Sequence, residues 1–178
     1  MAGLPHQASG LSFVRAQKGE PMPIRIMQDQ QREIRLLEFS GTILRQEIEP
    51  VSQLYLDREF YRFSDREVVL FTPDVSLAGI DVEDIGFLAD SYIEAVRRRG
   101  DQAPVLSAWV MGDHVRAEAR LWWDFTRDHA QMREPRFLVE TVESALTALG
   151  MPHEWAGDLR ACRGFRQLTG GGAVSLPG

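Results

Sequence analysis

The stretch that most constrains this chain is residues 67–100. It opens on the unbroken apolar run Val68-Val69-Leu70-Phe71. A strand with one face in water alternates apolar and polar residues, whereas a strand covered on both faces reads as a continuous apolar run. The run is therefore read as a buried strand. Residues 72–80 follow as a loop, and residues 85–99 as a helix in which Ile85, Leu88, Tyr92 and Val96 share a face. Asp81 or Asp84 can cap that helix, and Gly100 can end it in a left-handed conformation. In open α/β sheets, sites tend to lie at the carboxyl ends of strands, which directs attention to this loop and helix start.

The same alternation recurs along the chain. Residues 24–27 alternate weakly and suit an edge strand, Asp29-Gln30-Gln31 suits a turn, and residues 34–39 form a better strand that residues 40–43 can extend with a bulge at Gly41. Pro50 fits the first turn of a helix, favoured also by Glu47 and Glu49 and running to about Phe63. Its stripe would be Leu56, Phe60 and Phe63, with Val51 and Tyr55 beside it. Residues 105–110 are a second buried-type strand. Asp113 then leads into a helix with Val115, Ala119 and Trp122 on one face and Arg116, Arg120 and Arg127 solvated. A short strand at Phe137-Leu138-Val139 precedes a helix capped by Thr141, with Val142, Ala145, Leu146 and Leu149 as its apolar stripe and Gly150 and Pro152 as its stop.

Strands alternating with helices predict an α/β fold: a central, mixed, mostly parallel sheet with helices mainly on one face. The expected organisation is a flexible leader over residues 1–22, one domain over 23–151 and a partly disordered extension over 152–178. Trp155, Leu159 and Cys162 are spaced for one short docked helix in that extension.

Composition narrows the function classes. A net charge of −6 argues against nucleic acid, which needs clustered cations. The one basic run, Arg97-Arg98-Arg99, closes a predicted helix, where cations complement the dipole. A single cysteine, Cys162, excludes an internal disulfide and suits a reducing cytoplasm. No apolar run is long enough to span a bilayer, and the amino terminus lacks the basic and apolar parts of a signal peptide.

The order strand, strand, helix, strand, helix, strand, helix, short strand, helix over about residues 24–150 resembles the STAS family, in its SpoIIAA-like branch. Many members carry Asp-Ser-Ser-Gly followed by Leu-Gly at the start of the second helix. Here Asp81-Val82-Glu83-Asp84-Ile85-Gly86 stands in that place. Asp81, Ile85 and Gly86 fit; Val82 and Glu83 replace the serines, and Asp84 replaces the glycine. The resemblance implies a non-enzymatic bacterial regulatory module that lacks the phosphorylatable serine. Its protein partner would meet Asp81, Val82, Glu83 and Asp84, and a homodimer, with no surface assigned, is a separate open alternative.

Other residues offer chemistry with less support. Asp113 and His114 could form a base or a metal pair, but they sit where a helix starts. Asp124 and Asp128 share a helix face that would suit a divalent cation, while His129, next to Asp128, diverges from it; a solvated face is the simpler reading. Cys162 with His153 lacks any nucleophile signature, Ser76 lacks the Gly-x-Ser-x-Gly setting, and Gly79 alone is no phosphate cradle. No metal site and no cofactor is expected. Trp122 belongs to a core stripe. Trp109 and Trp123 suit either core packing or an aromatic wall for an apolar ligand or partner. The alternative to the protein-partner reading is therefore a carrier or sensor, with a pocket between the sheet and the Trp-bearing helix. A hydrolase using Asp and His stands third.

Overall fold

The computed structural model describes residues 23–56, 66–99, 105–113, 115–128 and 135–168. The expectations for the leader, Phe60, Phe63, Gly100, His114, His129 and residues 169–178 lie outside these, as do those for the side chains of Tyr55, Leu56, Val96, Arg127 and Asp128.

The architecture is α/β. Strand β1 (Ile24–Asp29) runs antiparallel to β2 (Ile34–Phe39) through a tight turn. The Asp29 carboxylate holds that turn by accepting from the backbone N–H groups of Gln31 and Arg32 at 2.9 and 3.1 Å. Next to β2 lie β4 (Arg66–Phe71), β6 (Leu106–Val110) and β7 (Arg136–Val139), all parallel. The two continuous apolar runs are thus adjacent, parallel and interior, as their composition requires. A short β8 (Arg166–Gln167) pairs antiparallel with β1, so the six-stranded order is β7-β6-β4-β2-β1-β8. Strand β1 is consequently not the edge that its weak alternation suggested. Its residues are nearly all buried because β8 covers its outer side and helices cover its faces.

Successive residues of the central strands serve opposite cores. Leu37, Val69 and Trp109 face α1 (Arg45–Leu56), α2 (Val82–Arg99) and α3 (Arg116–Asp128). Leu36, Val68 and Ala108 face α4 (Val142–Ala148) and α5 (Ala156–Arg160). The three longer helices lie on one face. The other face also has helical cover, through Leu146 and Leu159, which are 0% and 1% exposed. Residues 152–168, read from the sequence as an extension, complete this second core and add the sixth strand. Among the described residues no helix is long and apolar enough to cross a membrane.

Local signals explain the well-read helices. Asp81 and Asp84 cap α2 reciprocally: the Asp84 N–H donates to Asp81 Oδ1 at 3.0 Å, and the Asp81 N–H donates to Asp84 Oδ2 at 3.2 Å. Thr141 Oγ1 accepts from the Ser144 N–H at 3.1 Å, and Gly150 ends α4 at φ +66.

Two regions differ from expectation. Helix α1 begins at Arg45, with Pro50 inside it rather than in its first turn. The Leu44 N–H donates to Glu47 Oε2 at 2.8 Å, which satisfies an end group and lets the helix start earlier at the cost of one hydrogen bond at Pro50. Residues 40–43 do not prolong β2. At Gly41, φ +61, the chain leaves the sheet. Residues Thr42–Leu44 (β3) then pair with Ser76–Gly79 (β5) in a separate two-stranded parallel sheet, where a loop was expected. Gly79 is required there, since a Cβ would lie 2.8 Å from the Ile43 carbonyl oxygen.

Candidate functional site

One polar residue stands at the second position of β2, β4 and β6: Arg35, Glu67 and Ser107. Parallel register sets them side by side, and continues the row to Arg136 on β7. On the other side, antiparallel pairing brings Gln28 opposite Arg35. The row crosses the α1–α3 face of the sheet at the amino ends of the parallel strands. Four of its members, Gln28, Arg35, Glu67 and Ser107, are buried.

The row is tied together by charge and hydrogen bonds. Arg35 Nε lies 3.0 Å from Glu67 Oε2, with the two side chains 0% and 5% exposed. Ser107 Oγ donates to Glu67 Oε1 at 3.1 Å, and Trp109 Nε1 donates to Ser107 Oγ at 3.1 Å. Burying ions costs several kcal/mol each unless they are paired and their remaining valences satisfied. The Arg35 charge and the Ser107 hydroxyl supply part of that compensation to Glu67, whose Oε2 faces Arg35 without a hydrogen bond of good geometry.

Above the row, between the sheet and helices α2 and α3, is a partly open cavity of about 60 Å³. That is several times the roughly 10–15 Å³ a single water needs, which is room for a small group and not for a large cofactor. Its wall is apolar: Leu37, Val69 and Phe71 from the strands, Ile85, Leu88 and Ala89 from α2, and Trp122 from α3. Its polar positions are Glu67, Ser107, Tyr92 and Arg136. Aromatic contacts stiffen the wall. Phe39 stacks on Phe71 at 5.1 Å, Trp122 meets Phe39 edge-on at 5.8 Å, and Trp109 meets Trp123 edge-on at 5.6 Å. The Arg136 guanidinium lies over the Trp123 ring, 5.3 Å from its centroid.

The residues singled out from the sequence fall in three places. Trp109 lines the cavity; Trp123 backs it through Trp109. Trp122 is core, 4% exposed, and is also cavity wall. Asp81, Val82 and Glu83 are exposed at the start of α2, at the carboxyl end of the sheet. Asp84 is turned inward, 5% exposed, with Arg45 Nε at 3.3 Å from its Oδ1. Its side chain caps the helix. Cys162 and His153 do not converge. Burial pushes the Cys162 thiol pKa up, only partly offset by the nearby Arg25 charge, while His153 Nε2 lies 2.8 Å from Thr147 Oγ1. Asp124 is engaged by Arg120 at 3.0 Å. Among the described residues no group of three or more His, Cys, Asp or Glu side chains converges as a metal site.

Sequence reasoning missed Arg35, Glu67, Ser107 and Arg136. A signal existed: a polar residue stands inside or immediately before each of three apolar runs, and a polar residue on a buried strand has to find a partner. Which strands lie side by side decides whether those partners meet. The Ser107 hydroxyl proton is directed at Glu67, and no imidazole is seen beside it among the described residues. Compared with known proteins, the chain matches no family model, no curated protein and no solved structure.

Proposed function

We propose that this chain is a non-enzymatic binding module that takes a small molecule with a single-ring or short branched apolar body and a polar head. The observation that carries this reading is the cavity itself. It is walled by packed aromatic and aliphatic side chains and carries a few fixed polar groups on one row, the lining of a ligand pocket at a smaller size than most. The apolar body would lie between Val69, Ala89 and Trp122. The head would reach the row at Ser107 and Arg136. Titration with a panel of single-ring carboxylates, phenols and amines, followed by tryptophan fluorescence and thermal shift, tests it. Ala89→Leu fills the space from α2. It should abolish the response while the far-ultraviolet spectrum stays that of the parent. Failure of the whole panel to bind, or binding unchanged by Ala89→Leu, overturns the reading.

A protein partner is the second reading, and one observation favours it. Val82 and Phe87, on the first turns of α2, are 61% and 44% exposed beside Asp81 and Glu83. This is the position that the STAS-like comparison implies for a partner, and the resemblance in element order supports it. Glu83 would there provide a permanent single charge where switchable relatives acquire roughly −1.5 to −2 on phosphorylation. Glu83→Lys should then weaken capture of a partner; unchanged capture removes this reading.

A further inference from the structure

We propose that β7 is a self-association edge, through which two copies of the chain join antiparallel into one continuous sheet. The two edges of the six-stranded sheet are built differently. β8 is two residues long, Arg166 and Gln167, both exposed, the short polar kind of edge that resists further pairing. β7 is longer and apolar at its centre, with Phe137 and Leu138 each 37% exposed. Among the described residues no strand lies on its outer side.

The hydrogen-bond phase of β7 is defined. The Pro135 and Val139 carbonyls accept from the N–H groups of Ser107 and Met111, at 3.2 and 3.0 Å. Odd-numbered backbone groups thus face β6, and the pleat turns the N–H and C=O of Arg136 and Leu138 outward. A two-fold axis through Leu138 would let it exchange both bonds with its own copy, because residues whose groups point outward form the hydrogen-bonded pairs of an antiparallel ladder.

The charges obey the same axis. The segment reads Arg136-Phe137-Leu138-Val139-Glu140. Centred on Leu138, it sets Arg136 against Glu140 of the partner subunit, twice by symmetry, and Phe137 against Val139 of the partner subunit. Arg136 and Glu140 share the α3 face: Arg136 lies over Trp123, and Glu140 Oε1 accepts from Arg116 Nη2 at 2.9 Å. Opposite charges directly across strands stabilise and like charges destabilise. The sequence is complementary to itself in this register, which is why the second strand is assigned to another copy of the chain.

Analytical ultracentrifugation of the full chain up to millimolar concentration tests the proposal. The parent should show a monomer–dimer equilibrium. Leu138→Pro removes only an outward N–H, which the β6 ladder does not use, and should leave a monomer. Glu140→Arg should weaken the dimer about tenfold through two like-charge pairs. Arg136→Glu together with Glu140→Arg should restore it. A parent that stays monomeric overturns the proposal, as does a dimer indifferent to Leu138→Pro or Glu140→Arg, or a charge swap that fails to rescue. Thermal melts close to that of the parent show that each variant is folded. The outcome does not depend on whether the cavity binds a ligand.

Discussion

Two acid–arginine pairs occupy opposite ends of the sheet, and they differ in what water can reach. At the amino ends of the parallel strands, Arg35 and Glu67 are both sealed, 0% and 5% exposed. At the carboxyl end, Asp84 is equally buried, but its partner Arg45 is 73% exposed. The atoms are similar and the separations close, 3.0 against 3.3 Å. The energetic roles are not. With both members buried, neither can recover hydration when the other is lost. With one member in water, the pair is screened and contributes little. Asp84 compensates for its burial chiefly through the backbone, as half of the α2 capping box. The sealed pair is therefore part of the scaffold under the cavity, and the exposed pair is an accessory to a helix end.

The contrast is sharpest for single substitutions within the sealed pair. Arg35→Met should leave the Glu67 carboxylate stranded and cost about 3–5 kcal/mol, read from urea unfolding midpoints. The double change Arg35→Met with Glu67→Leu should recover most of that loss, because an apolar pair of similar volume removes the desolvation cost. If Arg35→Met is nearly neutral, the two pairs are alike and the comparison fails.

An intermediate effect is expected at the helix end. Asp81→Ala removes the side chain that accepts from the Asp84 N–H and should cost about 0.5–2 kcal/mol. Hydrogen exchange should quicken most in the first turn of α2. A loss as large as that of Arg35→Met would mean that the carboxyl-end loop, not the amino-end row, is the keystone.

The smallest effects belong to the exposed groups. Arg45→Ala should cost roughly 0–1 kcal/mol, and less at high salt. Glu83→Ser should stay within about half a kcal/mol, so any change it makes in partner capture reads recognition rather than folding. A salt-independent loss at Arg45 would show that the pair is less solvated than its exposure implies.

Much of the architecture was legible because its causes are local. The apolar runs at Val68 and Val105 required cover on both faces, and the caps at Asp81 and Thr141 marked helix starts within four residues of sequence. The β3–β5 pair was not legible. Ser76-Leu77-Ala78-Gly79 has no strand pattern, and the segment is held by Thr42–Leu44 and by Glu118 Oε2, which accepts from the Leu77 N–H at 2.9 Å. Both partners are distant in sequence. The early start of α1 was concealed by Pro50, whose cost is local, while the gain at Glu47 depends on the turn that the chain takes at Gly41.

The candidate site divides in the same way. The sequence by itself determined which residues must be buried and which polar residues interrupt buried strands, because periodicity and side-chain chemistry are properties of neighbours along the chain. It also marked Trp122 as an inward aromatic. Only the tertiary structure decided that Arg35, Glu67 and Ser107 stand side by side and that a cavity remains above them. Strand order and register bring together residues tens of positions apart, and no local free energy encodes that choice. It is made when the whole sheet finds the one pairing that buries every apolar run and leaves each buried charge a partner.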